Sequence, residues 1–303
     1  MQDLHELPKL RDSLSYLYVE RAVIERNQKA VELLNDDGRV FLPVASLGVL
    51  MLGPGTRITH GAVKTLAENG CTILWTAADG NNFYAQGIGE TRKAYHLLRQ
   101  VEMLSDPQLH EQVVLRMYTQ RFDTQLETGL TLPQIRGFEG VRVRKAYQEA
   151  SRKYGILWKG RKYDRGNWDN ADPINRALSA ANALLNGLCH AAIVSGGYSP
   201  ALGFIHTGKQ LSFVYDIADL YKVELTIPTA FKVVSESQAS VEARTRAACR
   251  LKFREARLLD RILPDIDALL QITDEYERSA GDVDADPALP EPLWEELEKE
   301  DDL

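Results

Sequence analysis

Apolar positions along the first 90 residues fall in short runs that suit strands. LSYLYVERAVI, KAVELLN, RVFLPVASLGVLML, CTILWTA and NFYAQG are rich in β-branched and aromatic residues and are separated by turn signals. Asn35-Asp36-Asp37-Gly38 lies between two of them and predicts a hairpin turn. One helix interrupts the runs. Thr59 stands as an N-cap before HGAVKTLAENG, and Gly70 supplies the residue that most easily turns left-handed beyond a helix end. After Thr91 the apolar spacing becomes helical, in RKAYHLLRQVEMLSD, PQLHEQVVLRMYTQRF, VRVRKAYQEASRKYG, INRALSAANALLNGLCHAAIVSGG, LSFVYDIADLYKVEL and VEARTRAACRLKFREARLLDRILPDIDALLQI. The pattern predicts an α+β chain. A small N-terminal β-rich, sandwich-like domain covers residues 1–90 and a larger all-α domain covers 91–273. Residues 274–303 are too charged for a core and read as a tail that is flexible on its own.

Composition narrows the class. A hydrophobic content of 44% with 26% charged residues is that of a soluble globular protein, and 303 residues suffice for one large domain or two ordinary ones. No run of 18 apolar residues is present, so no membrane-spanning helix is expected. The opening MQDLHELPKLRDS lacks the basic-then-apolar pattern of a secretory signal. Cys71, Cys189 and Cys249 are widely spaced and odd in number, and read as buried thiols in a reducing cytoplasm.

The net charge of -7 conceals an asymmetry. Residues 274–303 carry 13 acids and 2 bases, which leaves 30 acids and 34 bases for the body. A mildly basic body admits an anionic partner such as nucleic acid; the tail read alone is equally a solubilising extension. Leu289, Leu293, Trp294 and Leu297 are its apolar exceptions, and such a segment suits docking on a partner as well as it suits a stray aromatic.

The chemistry concentrates in GFIHTGKQLSFVYDIADLYK, Gly203 to Lys222. Asp216 and Asp219 are three apart and project from one face of a helix, in a segment otherwise apolar. Unpaired carboxylates are costly there, and a hard divalent cation with His206 as a nitrogen ligand resolves the conflict. The competing reading pairs the two carboxylates with Lys209 or Lys222 and makes His206 an ordinary hydrogen-bonded histidine. Glu139 in RGFEGVRVRKAYQEA is the best third acid, although a carboxylate opening a helix is also favoured simply by the helix dipole. Residues 136–165 hold ten Arg or Lys, among them Arg136 and Arg142, against three acids, with Tyr147, Tyr154, Trp158 and Tyr163 interleaved and Trp168 just beyond. Arg246, Arg250, Arg254, Arg257 and Arg261 repeat at helical spacing as a second basic stripe. Bases with aromatics suit phosphates and stacked bases; the plainer alternative is solvated helix faces. Neither a GxxxxGK[ST] loop nor a GxGxxG turn occurs.

On LPVASLGVLMLGPGTRITHGAV (42–63), QIRGFEGVRVRKAY (134–147) and YSPALGFIHTGKQLSFVYDIADLYK (198–222) the chain resembles the CRISPR-associated integrase family, the Cas protein numbered one. The compact length and the FVYDIAD wording look most like its Cascade-associated subtype I-E branch. The resemblance implies a metal-dependent DNA endonuclease and integrase that uses Mg²⁺ or Mn²⁺. It would insert protospacer DNA into a CRISPR array by 3′-hydroxyl attack at the leader–repeat junction. It implies Glu139, His206 and Asp219 as metal ligands, Asp216 as an acid required beside them, Lys209 beside the DNA phosphates, and Arg57 and Lys64 near the DNA path. It also implies a homodimer, two copies of which flank a dimer of the CRISPR-associated protein numbered two, and we expect Leu293, Trp294 and Leu297 to help dock that partner. Two positions depart from the branch: Arg21 replaces an aromatic that braces a splayed DNA end, with Tyr16 and Tyr18 as nearby substitutes, and Asn82 replaces a DNA-contacting arginine. Two rival readings are a metal nuclease acting on branched DNA in repair and a non-catalytic DNA-binding scaffold. The scaffold requires that Glu139, His206, Asp216 and Asp219 stay apart.

Overall fold

Two of the expected strand runs break in the middle, and each break carries the chain from one sheet to another. The computed structural model describes residues 15–28, 30–77, 83–87, 94–122, 129–161, 172–273 and 275–276. LSYLYVERAVI becomes β1 (Ser15–Val19) and β2 (Val23–Asn27), separated at Arg21, whose φ of 52° no strand accommodates. RVFLPVASLGVLML becomes β4 (Gly38–Leu42) and β5 (Leu47–Leu52), separated by Pro43 and a single 3₁₀ turn. With β3 (Ala30–Asn35), β6 (Arg57–Ile58), β7 (Thr72–Thr76) and β8 (Phe83–Gly87) they form two four-stranded sheets, β1-β5-β7-β8 and β4-β3-β2-β6. β1 and β7 both run parallel to β5, while β3 pairs antiparallel with β2 and with β4. The Asn35–Gly38 turn joins β3 to β4 as expected.

Both sheets contribute to one core. Val19, Leu50, Leu52 and Ile73 of the first meet Ile24, Val31, Leu33 and Leu42 of the second, and α1 (His60–Glu68) adds Ala62 and Leu66. Thr59 caps α1 by accepting a hydrogen bond from the Ala62 amide, and Gly70 follows with φ +75°.

Among the described residues from Ala94 onward the regular elements are helical: α2 (Ala94–Ser105), α3 (Pro107–Thr119), α4 (Leu132–Tyr154), α5 (Pro173–Ser195), α6 (Ser212–Tyr221), α7 (Ile227–Glu236), α8 (Val241–Glu255) and α9 (Leu258–Leu270). The α+β arrangement therefore stands. Helix α5 is the axis, because it is small and apolar on nearly every face and α6, α7, α8 and α9 all pack on it. It is long and apolar enough to span a bilayer, but 78% of its apolar window is buried inside the protein. Its Ala191 also meets Val49, Met51 and Leu74, which seats the helices on the first sheet. All three cysteines are free and buried.

Two helix boundaries differ from expectation. Helix α4 begins at Leu132 behind a Thr131–Gln134 capping box, so Glu139 lies two turns inside it and does not open it. Gly137 and Gly140 are tolerated mid-helix, which hid that start. The long segment 241–272 splits at Arg257, whose φ of 47° ends α8 and starts α9.

His190 of α5 gives a stability expectation. Burial pushes its imidazole down to about 4 from an ordinary 6.5. Between those values the unfolded chain binds a proton that the native chain refuses, so stability falls as pH falls through that window. Acidifying from about pH 7 to about pH 5 should remove roughly 2 kcal/mol. In urea unfolding as a function of pH, His190→Gln should flatten that dependence; an unchanged slope would assign the acid sensitivity elsewhere.

A candidate metal centre and a basic groove

The loop that carries His206 is held from three helices. Gln100 of α2 donates from Nε2 to the Ser199 and Leu202 carbonyls (3.0 and 2.9 Å) and accepts the Ser199 amide on Oε1. His110 of α3 donates from Nε2 to the Phe204 carbonyl at 2.9 Å. Asp216 of α6, with no solvent exposure, takes the remaining donors. Its Oδ2 accepts the amides of Phe204 (2.6 Å) and Ile205 (3.1 Å), and its Oδ1 accepts the amide of His206 (2.9 Å). Gly203 permits the tight approach, since a Cβ there would collide with the His206 carbonyl oxygen and the Ser212 backbone.

Asp216 Oδ1 also receives His206 Nδ1 at 2.7 Å. A carboxylate oxygen only accepts, so Nδ1 carries the hydrogen, and Nε2 is left for a ligand or for solvent. The imidazole is 45% exposed. The Asp216 hydrogen bond raises its pKa; burial opposes that rise, and the nearby Asp219 adds to it.

Asp219 stands one turn further along α6 and meets different partners. Lys222, the first residue of the π-helical turn Lys222–Thr226, hydrogen-bonds its Oδ1. Arg121, just beyond α3, places Nη1 3.9 Å from its Oδ2. Burial pushes the Asp219 carboxyl up, but Lys222 and Arg121, with His206 beside them, outweigh it and hold the group below the usual carboxylate range. The same Arg121 Nη1 lies 3.6 Å from Glu139 Oε1, and Arg142 grips both Glu139 oxygens at 2.7 and 3.1 Å. Glu139 from α4 and Asp219 from α6 thus meet at one buried guanidinium, and His206 from the 203–206 loop lies within electrostatic reach of Asp219.

Among the described residues, no three His, Cys, Asp or Glu side chains already form a ligating array. Arg121 stands between Glu139 and Asp219, while Arg142 pairs with Glu139 and Lys222 with Asp219. The donor chemistry nevertheless fits Mg²⁺ or Mn²⁺: two carboxylates, at least one held ionised, and an imidazole whose tautomer is set by a carboxylate. The cluster already demands positive charge, and three cations supply it.

The basic residues sort into groups. Lys209 is exposed three residues from His206, and its amide donates to Ser212 Oγ at 3.0 Å. Arg57 on β6 is exposed, as are Arg136, Arg144 and Lys145 on α4. Lys64 on α1 is 3.6 Å from Glu68. Arg246, Arg250 and Arg254 of α8, together with Arg257, line a groove of about 1400 Å³. Its opposite wall is the β1–β2 corner, which brings Arg21 to the same space. The stripe stops there. Arg261 lies on α9 and donates to both oxygens of Glu224 at 3.1 and 3.0 Å, so it does not continue the row. Tyr147 and Trp158 stack on each other with centroids 4.5 Å apart and pack on Phe231, so both rings are engaged in the helical core. Tyr154 packs in the same cluster. Asn82, Lys162, Tyr163, Arg165, Trp168, Leu289, Leu293, Trp294 and Leu297 lie outside the described residues, as does the side chain of Tyr16.

Gln100, His110 and Arg121 carry the site without any signal in the sequence that marks them. Each is one polar residue on or beside an amphipathic helix, and its partners are some 20 to 100 positions away.

Comparison with known proteins adds three findings. Residues 116–259 match the family model described as CRISPR associated protein Cas1. The chain is similar to CRISPR-associated endonuclease Cas1 2 of Thermus thermophilus, 55% identical over 97% of this chain and 90% of the relative, and to CRISPR-associated endonuclease Cas1 1 of Rhodospirillum rubrum, 43% identical over 86% of each. Its structure resembles that of the TtCas1-DNA complex with a TM-score of 0.75 at 57% identity, covering 88% of this chain and all of that one.

Proposed function

Since the chain belongs to the CRISPR-associated protein Cas1 family, we propose that it is a divalent-metal-dependent DNA endonuclease and integrase. The observation that carries the reading is the meeting of Glu139 and Asp219 at Arg121, with the His206 imidazole, fixed by Asp216, close enough to Asp219 for their charges to interact. Glu139, Asp219 and His206 Nε2 would hold Mg²⁺ or Mn²⁺. Such an ion, when bound, polarises a phosphodiester and stabilises the charge that builds on the attacking and leaving oxygens. Asp216 presents Nε2 by holding Nδ1–H, and its three amide bonds keep the loop from retreating. Lys209, exposed three residues beyond His206, would meet a phosphate. The cysteine thiols are buried and pushed up by that burial, so none is offered as a nucleophile, and the attacking oxygen belongs to the DNA 3′-hydroxyl or to water.

In this reading the substrate is protospacer DNA joined at a leader–repeat junction, in the cytoplasm. The deciding assay joins labelled duplexes to a leader–repeat target in Mg²⁺, in Mn²⁺ and in chelator. Metal-independent joining would exclude the centre, and equal action on a plain branched junction would favour a repair nuclease.

Duplex DNA would follow the groove between α8 and the β1–β2 corner. Reversing Arg246, Arg250 and Arg254 to Glu should weaken binding across sequences. The slope of log affinity against log salt should become shallower by roughly 0.9 for each phosphate that is no longer neutralised. Unchanged affinity and slope in anisotropy titrations would take α8 out of the DNA path.

The protein would act as a homodimer, two copies flanking a dimer of the CRISPR-associated protein numbered two, with Leu293, Trp294 and Leu297 at that interface. A chain ending at residue 281 should fail to co-purify the partner; full retention would remove the tail from that role.

A further inference from the structure

Arg121 is an unusual group to find between two carboxylates. Its side chain is 4% exposed, and its guanidinium lies over the Tyr118 ring at 5.1 Å. Nε and Nη2 are buried without a hydrogen-bond acceptor, and Nη1 is 3.6 and 3.9 Å from its two carboxylates, beyond hydrogen-bonding range. Directional bonds therefore do not account for burying this charge. Attraction to Glu139 and Asp219 together does, because a buried cation is tolerated only when opposite charge compensates it.

The other two cations differ. Arg142 and Lys222 are 22% and 28% exposed, and each binds one carboxylate through a direct hydrogen bond. Both can swing into solvent, whereas Arg121 cannot. Exchanging these two part-exposed cations for one doubly charged ion leaves the total charge of the cluster unchanged. From this we infer that Arg121 is the permanent countercharge of the centre, a positioning residue that keeps Glu139 and Asp219 converged before a divalent ion arrives, while Arg142 and Lys222 are its displaceable occupants. The inference rests on the metal reading above.

The test uses the full chain and the variants Arg121→Met and Arg121→Lys, melted in chelator and in MnCl₂, with Mn²⁺ binding followed by calorimetry. Arg121→Met should melt lower than wild type in chelator and regain most of the loss in Mn²⁺, so its metal-induced rise exceeds that of wild type. It should also bind Mn²⁺ about tenfold more tightly, since a fixed positive charge no longer opposes the ion. Arg121→Lys should behave as wild type. An equal loss of melting temperature with and without Mn²⁺, at unchanged Mn²⁺ affinity, would reduce Arg121 to a packing residue and overturn the inference. If Arg121→Met does not fold in chelator, adding Glu139→Gln should restore folding by removing one uncompensated carboxylate; failure of that rescue overturns it equally. The metal reading fails separately, by a wild type that neither binds Mn²⁺ nor melts higher in it.

Discussion

Asp219→Ala and Glu139→Ala are each expected to lower DNA cleavage and joining by about 10³-fold or more, the several kcal/mol that charge stabilisation by a metal ion supplies. The fold should survive both. Asp219 is 23% exposed at its side chain and Glu139 12%, and their partners are cations, not core side chains. Asp219→Ala leaves Lys222 free to reach solvent, and Glu139 still faces Arg121. Glu139→Ala releases Arg142, which is itself part-exposed, and leaves Asp219 beside Arg121. Neither change orphans a backbone amide. The loss should therefore appear in the rate, with an unchanged circular dichroism spectrum and a melt within a few degrees of wild type. A folded variant that joins ends at the wild-type rate would end the assignment of the metal centre.

That expectation separates two residues that sequence spacing placed together. Asp216 and Asp219 lie three apart on one helix, and the spacing argues for one shared face and one shared role. In the folded chain their surroundings diverge. Asp216 is wholly buried and saturated by the preceding loop, whereas Asp219 is part-exposed and faces cations. Helical periodicity specifies the side of a helix, not what a loop ten residues upstream does against it. The same limit explains Arg261: its spacing continues the α8 stripe, but the left-handed Arg257 turns the chain, and Glu224, 37 residues away, captures it. Local signals fared better where the physics is local. The Asn35–Gly38 hairpin and the Thr59 cap depend on a few consecutive residues and form where expected. Arg121 leaves no local trace, because a single arginine after an amphipathic helix acquires its meaning only when α4 and α6 bring carboxylates to it.

Asp216→Asn should fail differently from Asp219→Ala, and by more in stability. One oxygen of Asp216 faces the amides of Phe204 and Ile205; the other faces the amide and ring Nδ1 of His206. An asparagine must turn its NH₂ group toward one of these pairs and set donor against donor. Leaving buried donors unmet at a charged site costs about 3–5 kcal/mol, which for a chain of this size lowers the melting temperature on the order of 10 °C. The His206 ring would lose the bond that orients it or the loop that carries it, so activity should fall as well. His206→Ala supplies the contrast, because the imidazole is 45% exposed and its removal leaves the three amide bonds intact. That variant should lose activity while melting near wild type. Thermal melts and joining assays on the two variants together locate the division of labour. An Asp216→Asn protein as stable as wild type would mean that the carboxylate does not anchor the loop, and Asp216 would then return to consideration as a ligand alongside Asp219.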